Sequence, residues 1–379
     1  RELFEYGNKR KAEIGAENVF DFSIGNPSIP APKELSEEIC RLLSEENPLS
    51  VHGYTSAPGD LSARKAVAEN LNERFGTNFC AENLYLTCGA AASLTISLSA
   101  VVEEGEEVII FAPYFPEYTV FIETAGGKPV SVPCKWPDFQ MDFEKLSEVL
   151  NEKTAAVIIN SPNNPSGAVF SEDSIKKLSS ILSEAEEKFG RKIYLISDEP
   201  YRELVYGKTE VPFVTKYYND TIICYSWSKS LSLPGERIGY ILVSPENPDW
   251  KKVYSGICGA GRALGFVCAP SLFQKIIPKC VNMTSDFSVY EKNRDLLYNS
   301  LAEMGFEAVK PEGAFYLFVK SPEPNANAFS EKAKKHEILI VPSDDFGMEG
   351  FVRISYCVST EQIERSLPAF KKLAEEYSL

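Results

Sequence analysis

The chain has 379 residues, 44% of them apolar and 25% charged, with 39 Lys+Arg against 54 Asp+Glu and a formal net charge of −15. This is globular composition at a length that buries a core without a disulfide or metal staple, which excludes a disordered or fibrous chain; about 150 residues per domain predicts two to three domains. The acidity argues against nucleic acid or an anionic membrane surface as the main partner, while a small anionic ligand stays open where a few basic side chains converge.

Residues 1–11 are charged throughout and show no signal pattern. Nine cysteines without a C-x-x-C pair read as reduced thiols, mostly core filler, in a cytoplasmic protein. His52 and His336 are the only histidines, so no metal site is expected. Residues 84–102 carry no charge for nineteen positions, yet Cys88-Gly89 interrupts them with turn chemistry, so they read as a short strand feeding a buried helix rather than a membrane span. Strands are predicted at 84–87, 107–111, 129–133, 155–160, 192–197, 221–226 and 239–243. Between two of them, 171–190 opens on Ser-Glu-Asp, carries Ile175, Leu178, Ile181, Leu182 and Ala185, and closes on a glycine, as a capped crossover helix does. Beyond about residue 285 come a helix near 286–304, a strand at 315–320, a Pro/Asn loop, a helix, short strands near 338–341 and 351–356, and a terminal helix. The expected architecture is α/β. A large domain over 51–284 would hold a mostly parallel, seven-stranded sheet flanked by helices, and a smaller α+β domain would combine 285–379 with the N-terminal segment 1–50.

In open parallel sheets, ligands sit outside the carboxyl ends of the strands. Cys88-Gly89-Ala90-Ala91 follows the first predicted strand, Asn-Ser-Pro-Asn-Asn-Pro-Ser-Gly fills 160–167, Asp198 ends another strand, and Lys229 follows a fourth, with Arg237 eight residues later. Each alone has a plain structural reading. The asparagine run is turn chemistry, Asp198 a cap or surface charge, Lys229 a solvated loop lysine, Arg237 half of a surface ion pair, and Gly89 a tight turn. Together, at successive strand ends, they read as an amide, a carboxylate, an amine and a helix N-terminus facing one crevice.

These segments resemble the class I/II aminotransferases, the fold type I enzymes dependent on pyridoxal 5′-phosphate. The resemblance runs from about Gly25 to Arg353. It is carried by Asn163-Asn164-Pro165-Ser166-Gly167, by Ser197-Asp198-Glu199-Pro200-Tyr201, and by Ser226-Trp227-Ser228-Lys229-Ser230 followed by Gly235-Glu236-Arg237-Ile238-Gly239. Gly25-Asn26-Pro27, Gly53-Tyr54-Thr55, Pro113-Tyr114-Phe115 through Tyr118, Pro311 to Tyr316 and Val352-Arg353-Ile354-Ser355 support it.

The resemblance implies roles. Lys229 would hold the coenzyme aldehyde as a Schiff base and then move a proton between substrate Cα and the coenzyme, which needs an amine of lowered pKa. Asp198 would pair with the ring nitrogen and keep it cationic. Asn164 and Tyr201 would bond the ring 3′ oxygen, and Phe115 would stack on the ring. Gly89, Ala90 and Ala91 at a helix start, Arg237, Ser226 and Ser228 would take the phosphate. Tyr54 would reach the phosphate of a neighbouring subunit, making the active unit a homodimer. Arg353, with Asn164 and the Gly25 backbone, would hold the substrate α-carboxylate. Cys88 stands where the family more usually has Ser or Thr, which weakens a side-chain phosphate contact there. Arg262 is a candidate for a second substrate carboxylate, in a register that the family does not settle. Its run, Cys258 to Gly265, imitates a nucleotide fingerprint, but three residues rather than two separate Gly261 from Gly265 and no strand leads into it.

The implied activity is ping-pong transfer of an amino group between an L-α-amino acid and a 2-oxo acid. A carbon–sulfur β-lyase using the same lysine is the enzymatic alternative, since both need the same electron sink. A pyridoxal phosphate-sensing regulatory module is opposed by the acidity and by the shortness of residues 1–18, too few for a winged helix-turn-helix.

Overall fold

The computed structural model describes residues 2–379. Its strands, in chain order, are β1 (Phe20–Asp21), β2 (Leu84–Thr87), β3 (Glu107–Ala112), β4 (Lys128–Lys135), β5 (Gln140–Met141), β6 (Thr154–Asn160), β7 (Tyr194–Asp198), β8 (Thr221–Ser226), β9 (Gly239–Val243), β10 (Tyr316–Lys320), β11 (Ile338–Leu339), β12 (Val341–Pro342) and β13 (Phe351–Ser355). The large sheet has the order β2-β9-β8-β7-β6-β3-β4-β5. It is eight-stranded, not seven. The extra member, β5, pairs antiparallel with the end of β4 over only two residues, Cys134↔Met141 and Lys135↔Gln140, too short for any alternation to be read from sequence.

The sheet's central strands are continuous apolar runs because helices cover both faces. Along β3, Val108 and Ile110 face one core while Ile109 and Phe111 face the other; β6 splits Ala156 and Ile158 from Val157 and Ile159 in the same way. The crossover helix Glu172–Phe189 is capped as its sequence dictates. Ser171 accepts from the Ser174 N–H, and Gly190, at φ 65°, closes the last turn through the Glu186 carbonyl. Residues 84–102 resolve into β2 and the helix Ala90–Val101. Among the described residues no helix is long and apolar enough to cross a membrane.

A second core gathers the ends of the chain. β13 lies between β10 and β12, both antiparallel to it, and β1 pairs in parallel with β11. Phe22 from the N-terminal segment packs there with Tyr290, Leu297, Phe315, Ile354 and Phe370.

Strand direction decides what reaches the functional edge. β6, β7 and β8 run in parallel, so Asn160, Asp198 and Ser226 finish together, with Asn160 paired to Asp198 and Asp198 to Cys224. β9 is antiparallel to both β8 and β2, so its first residue, Gly239, lies beside Ser226 and Thr87, the last residues of those strands. Arg237, which precedes a strand, thereby arrives at the edge where the others end.

Candidate active site

At this edge lies a cavity of about 600 Å³ lined by Gly25, Ala90, Ala91, Phe115, Asn164, Asp198, Tyr201, Ser226, Ser228, Lys229, Arg237 and Arg353. The sequence-predicted set is thus brought together, except that Gly89 lies behind the lining and Tyr54 is apart from it. The volume is that of an ordinary small-molecule site.

Lys229 sits in the four-residue helix Trp227–Ser230, which follows β8 directly. Its Nζ donates to the Gly25 carbonyl at 2.8 Å. Burial draws its pKa down to about 8; the Cys357 thiol opposes this, and Arg237 and Arg353 add to it. A neutral amine is therefore accessible close to neutral pH, which a solvated lysine does not offer. Asp198, 5% exposed, takes a hydroxyl hydrogen bond from Tyr118 on Oδ2, and its Oδ1 is buried without a partner. Burial pushes its pKa up to about 7, against the Tyr118 hydrogen bond and with the help of Glu199. An orphaned buried carboxylate oxygen in a cavity is costly unless a ligand supplies a donor.

Asn164 is set by its loop. Its N–H donates to Asn160 Oδ1 at 2.8 Å, and Asn163 Oδ1 accepts from the Ser166 N–H at 3.0 Å and its hydroxyl at 2.7 Å. Gly167, at φ 71°, presses on the Pro311–Tyr316 stretch, where an added Cβ would stand 2.6 Å from Pro311 Cβ and 2.8 Å from the Tyr316 carbonyl. The Gly167 carbonyl in turn accepts from the N–H groups of Glu312 and Gly313, each at 3.0 Å. Arg353, on the central strand β13, extends one guanidinium nitrogen to Asn164 Oδ1 (3.1 Å) and another to the Ser23 carbonyl (2.8 Å). Its guanidinium lies 4.8 Å from the Tyr316 ring centroid and 5.1 Å from that of Phe346, and Nε is buried without a partner. A planar fork held by neutral acceptors between two rings is suited to a carboxylate.

The opposite end of the cavity can hold an anion. Gly89, at φ 91°, caps the N-terminus of the helix Ala90–Val101. A Cβ at Gly89 would come within 2.6 Å of Arg237 Nη2, so only glycine lets the guanidinium lie across the helix start. Arg237, itself at φ 53°, is held by the Pro234 carbonyl at 2.8 Å. Ser226 and Ser228 place their hydroxyls 2.6 Å apart on the lining. The Cys88 thiol instead turns toward the Cys268 carbonyl, 3.9 Å away, and does not line the cavity.

Tyr54 is 91% exposed on this chain. Arg262 is exposed in the last turn of the helix Trp250–Ala263 and does not line the cavity. The glycine run beside it serves packing, since a Cβ at Gly261 would stand 2.3 Å from the Tyr85 hydroxyl. Among the described residues no group of three or more His, Cys, Asp or Glu could hold a metal ion. Three contributors had no role from sequence. Tyr118 meets Asp198, Tyr316 shares a 2.8 Å hydrogen bond with Tyr201, and Ser23 holds Arg353. Both tyrosines fall inside the segments that carry the resemblance, which was the available signal.

The sequence profile described as "Aminotransferase class I and II" matches residues 17–370. The chain belongs to this family. Among similar aminotransferases, the probable aspartate/prephenate aminotransferase of Aquifex aeolicus is 32% identical, over 95% of this chain and 92% of its own length. Aromatic-amino-acid aminotransferase 2 of Thermococcus litoralis is 29% identical, over 96% and 94%. A solved aminotransferase from Eubacterium rectale is 56% identical, covers 100% of this chain and 96% of its own, and superposes with a TM-score of 0.98. The protein is an aminotransferase of the fold type I architecture. None of these relatives is named as a lyase.

Proposed function

We propose that this aminotransferase holds pyridoxal 5′-phosphate in the cavity at the sheet edge and interconverts an L-α-amino acid and a 2-oxo acid there. The observation that carries the reading is a buried amine of lowered pKa, Lys229, in one cavity with a partnerless carboxylate oxygen, Asp198 Oδ1, and an arginine cradle closed by Gly89. The residues present fit the coenzyme. Asp198 would hold its ring nitrogen, Asn164 and Tyr201 its ring oxygen, Phe115 its face, and Ala90, Ala91, Ser226, Ser228 and Arg237 its phosphate. When bound, the coenzyme supplies an aldehyde that accepts the amino group and a ring that stabilises the electron pair left at substrate Cα.

The protein's own part is positional and protonic. Arg353 binds the α-carboxylate through its fork and, with Asn164, fixes the orientation of Cα. Lys229 Nζ would be the amine that holds the coenzyme's aldehyde, and its lowered pKa suits it to take and return the Cα proton of the substrate. Asp198 would set its carboxylate against the ring nitrogen, whose positive charge would hold the acid in its ionised form. Amino-acid donors and 2-oxo-acid acceptors suit this fork, and a cytoplasmic setting suits the nine free cysteines.

The test is reduction with borohydride after adding pyridoxal 5′-phosphate at a series of pH values. Only the neutral amine attacks an aldehyde, so labelling of Lys229 should rise with pH through a midpoint near 8. Label on another lysine, or a midpoint near that of a solvated amine, would overturn the assignment. The active unit in this reading is a homodimer. Tyr54 is 91% exposed and Leu49, five residues before it, is 84% exposed, apolar surface that a second subunit would cover. Sedimentation showing fully active monomers would remove the dimer.

A further inference from the structure

We propose that Tyr118 is a positioning residue for Asp198, its phenol occupying one carboxylate oxygen so that the other stays turned to the coenzyme's ring nitrogen. The inference rests on the coenzyme reading above and adds a residue to which that reading gives no task.

Tyr118 is the second residue of the helix Glu117–Thr124, is 2% exposed, and donates to Asp198 Oδ2. Burial holds its own pKa well above the ordinary phenol value, so it remains a neutral donor wherever the enzyme works. Among the described residues no lysine or arginine reaches the Asp198 carboxylate, and Asn160 holds only its backbone carbonyl, at 2.9 Å. Among the described residues the phenol is therefore the one side-chain donor that stabilises the charged form of this acid before a ligand arrives, and it fixes the carboxylate's rotation. The partnerless Oδ1 is the consequence.

The same residue is tied to the ring platform. The Tyr118 N–H donates to the Phe115 carbonyl at 3.1 Å, and the two rings meet edge to face with centroids 5.7 Å apart. One turn of chain thus sets both the aromatic face and the acid's orientation. Without the phenol, Asp198 would rotate freely and, buried, would draw the shared proton from the ring nitrogen to itself, weakening the ring as an electron acceptor.

Tyr118→Phe keeps the ring and its packing and removes only the donor. The dissociation constant for pyridoxal 5′-phosphate should rise about tenfold, the loss of a hydrogen bond to a charged group. The ¹⁵N resonance of ring-labelled coenzyme bound to the variant should move toward the neutral-pyridine position. In an Asp198→Asn background the same substitution should cost no further affinity, because the phenol acts through the acid. Tyr118→His, which keeps a donor on a smaller ring, should hold the resonance near its wild-type position and serves if the phenylalanine variant does not fold. Unchanged affinity and resonance in Tyr118→Phe would overturn the proposal, as would an equal loss in the Asp198→Asn background, which would make Tyr118 mere packing. Failure of the unmodified protein to bind the coenzyme would remove the underlying reading instead.

Discussion

Replacing Lys229 by alanine is expected to slow conversion of a bound amino donor by about 10⁴-fold or more, since in the proposed reading one side chain supplies both the covalent anchor and the proton transfer. The fold should survive. Nζ makes a single hydrogen bond, to the Gly25 carbonyl, and the lowered pKa of the amine reports a burial cost that disappears with it. A single-turnover assay with the loaded enzyme reads the rate, circular dichroism reads the fold, and mass analysis after borohydride reduction should find no coenzyme at position 229. Wild-type turnover in this variant would show that the cavity is not where the chemistry happens.

Arg353→Ala should act on the other reactant. The guanidinium is kept by Asn164 Oδ1 and the Ser23 carbonyl between the Tyr316 and Phe346 rings, and its loss leaves a carboxylate-sized gap without a cation. kcat/KM for every α-amino acid should fall about a hundredfold or more, the usual scale for removing one partner of a desolvated charge pair. Coenzyme affinity should hardly change. Arg353→Lys should recover little, because an ammonium cannot present two parallel N–H groups. If KM is untouched while coenzyme affinity collapses, Arg353 belongs to the coenzyme and not to the substrate.

How far the chain could be read in advance depended on the range of the interaction. β2, β8 and β9 lie where their apolar runs and flanking turn residues placed them, and the crossover helix after Ser171 begins and ends on its own caps. These are local properties. β5 escaped because two residues carry no period, and its pairing with β4 is made by a turn rather than by a pattern. The convergence of Lys229, Asp198 and Asn164 was legible from strand ends, whereas Arg237, which precedes a strand, was signalled only by the resemblance, and its arrival there follows from the reversed direction of β9. The bond between Tyr118 and Asp198 spans eighty positions, and that between Ser23 and Arg353 spans 330. Nothing local announces either, and Ser23 contributes only a backbone oxygen, which no residue type could signal.

The reversed direction of β9 has a consequence for how the molecule comes into being. Lys229 and Arg237 stand on one short connection between adjacent strands, so the amine and the cation at the two ends of the proposed coenzyme seat are spaced by a few residues of backbone. Arg353 and its holders, Asn164 and Ser23, come instead from three remote stretches of chain. On the ribosome, the proposed coenzyme seat is encoded in full well before the proposed substrate clamp has been synthesised. A nascent chain halted short of position 353 carries an anchor with nothing yet able to grasp an amino acid.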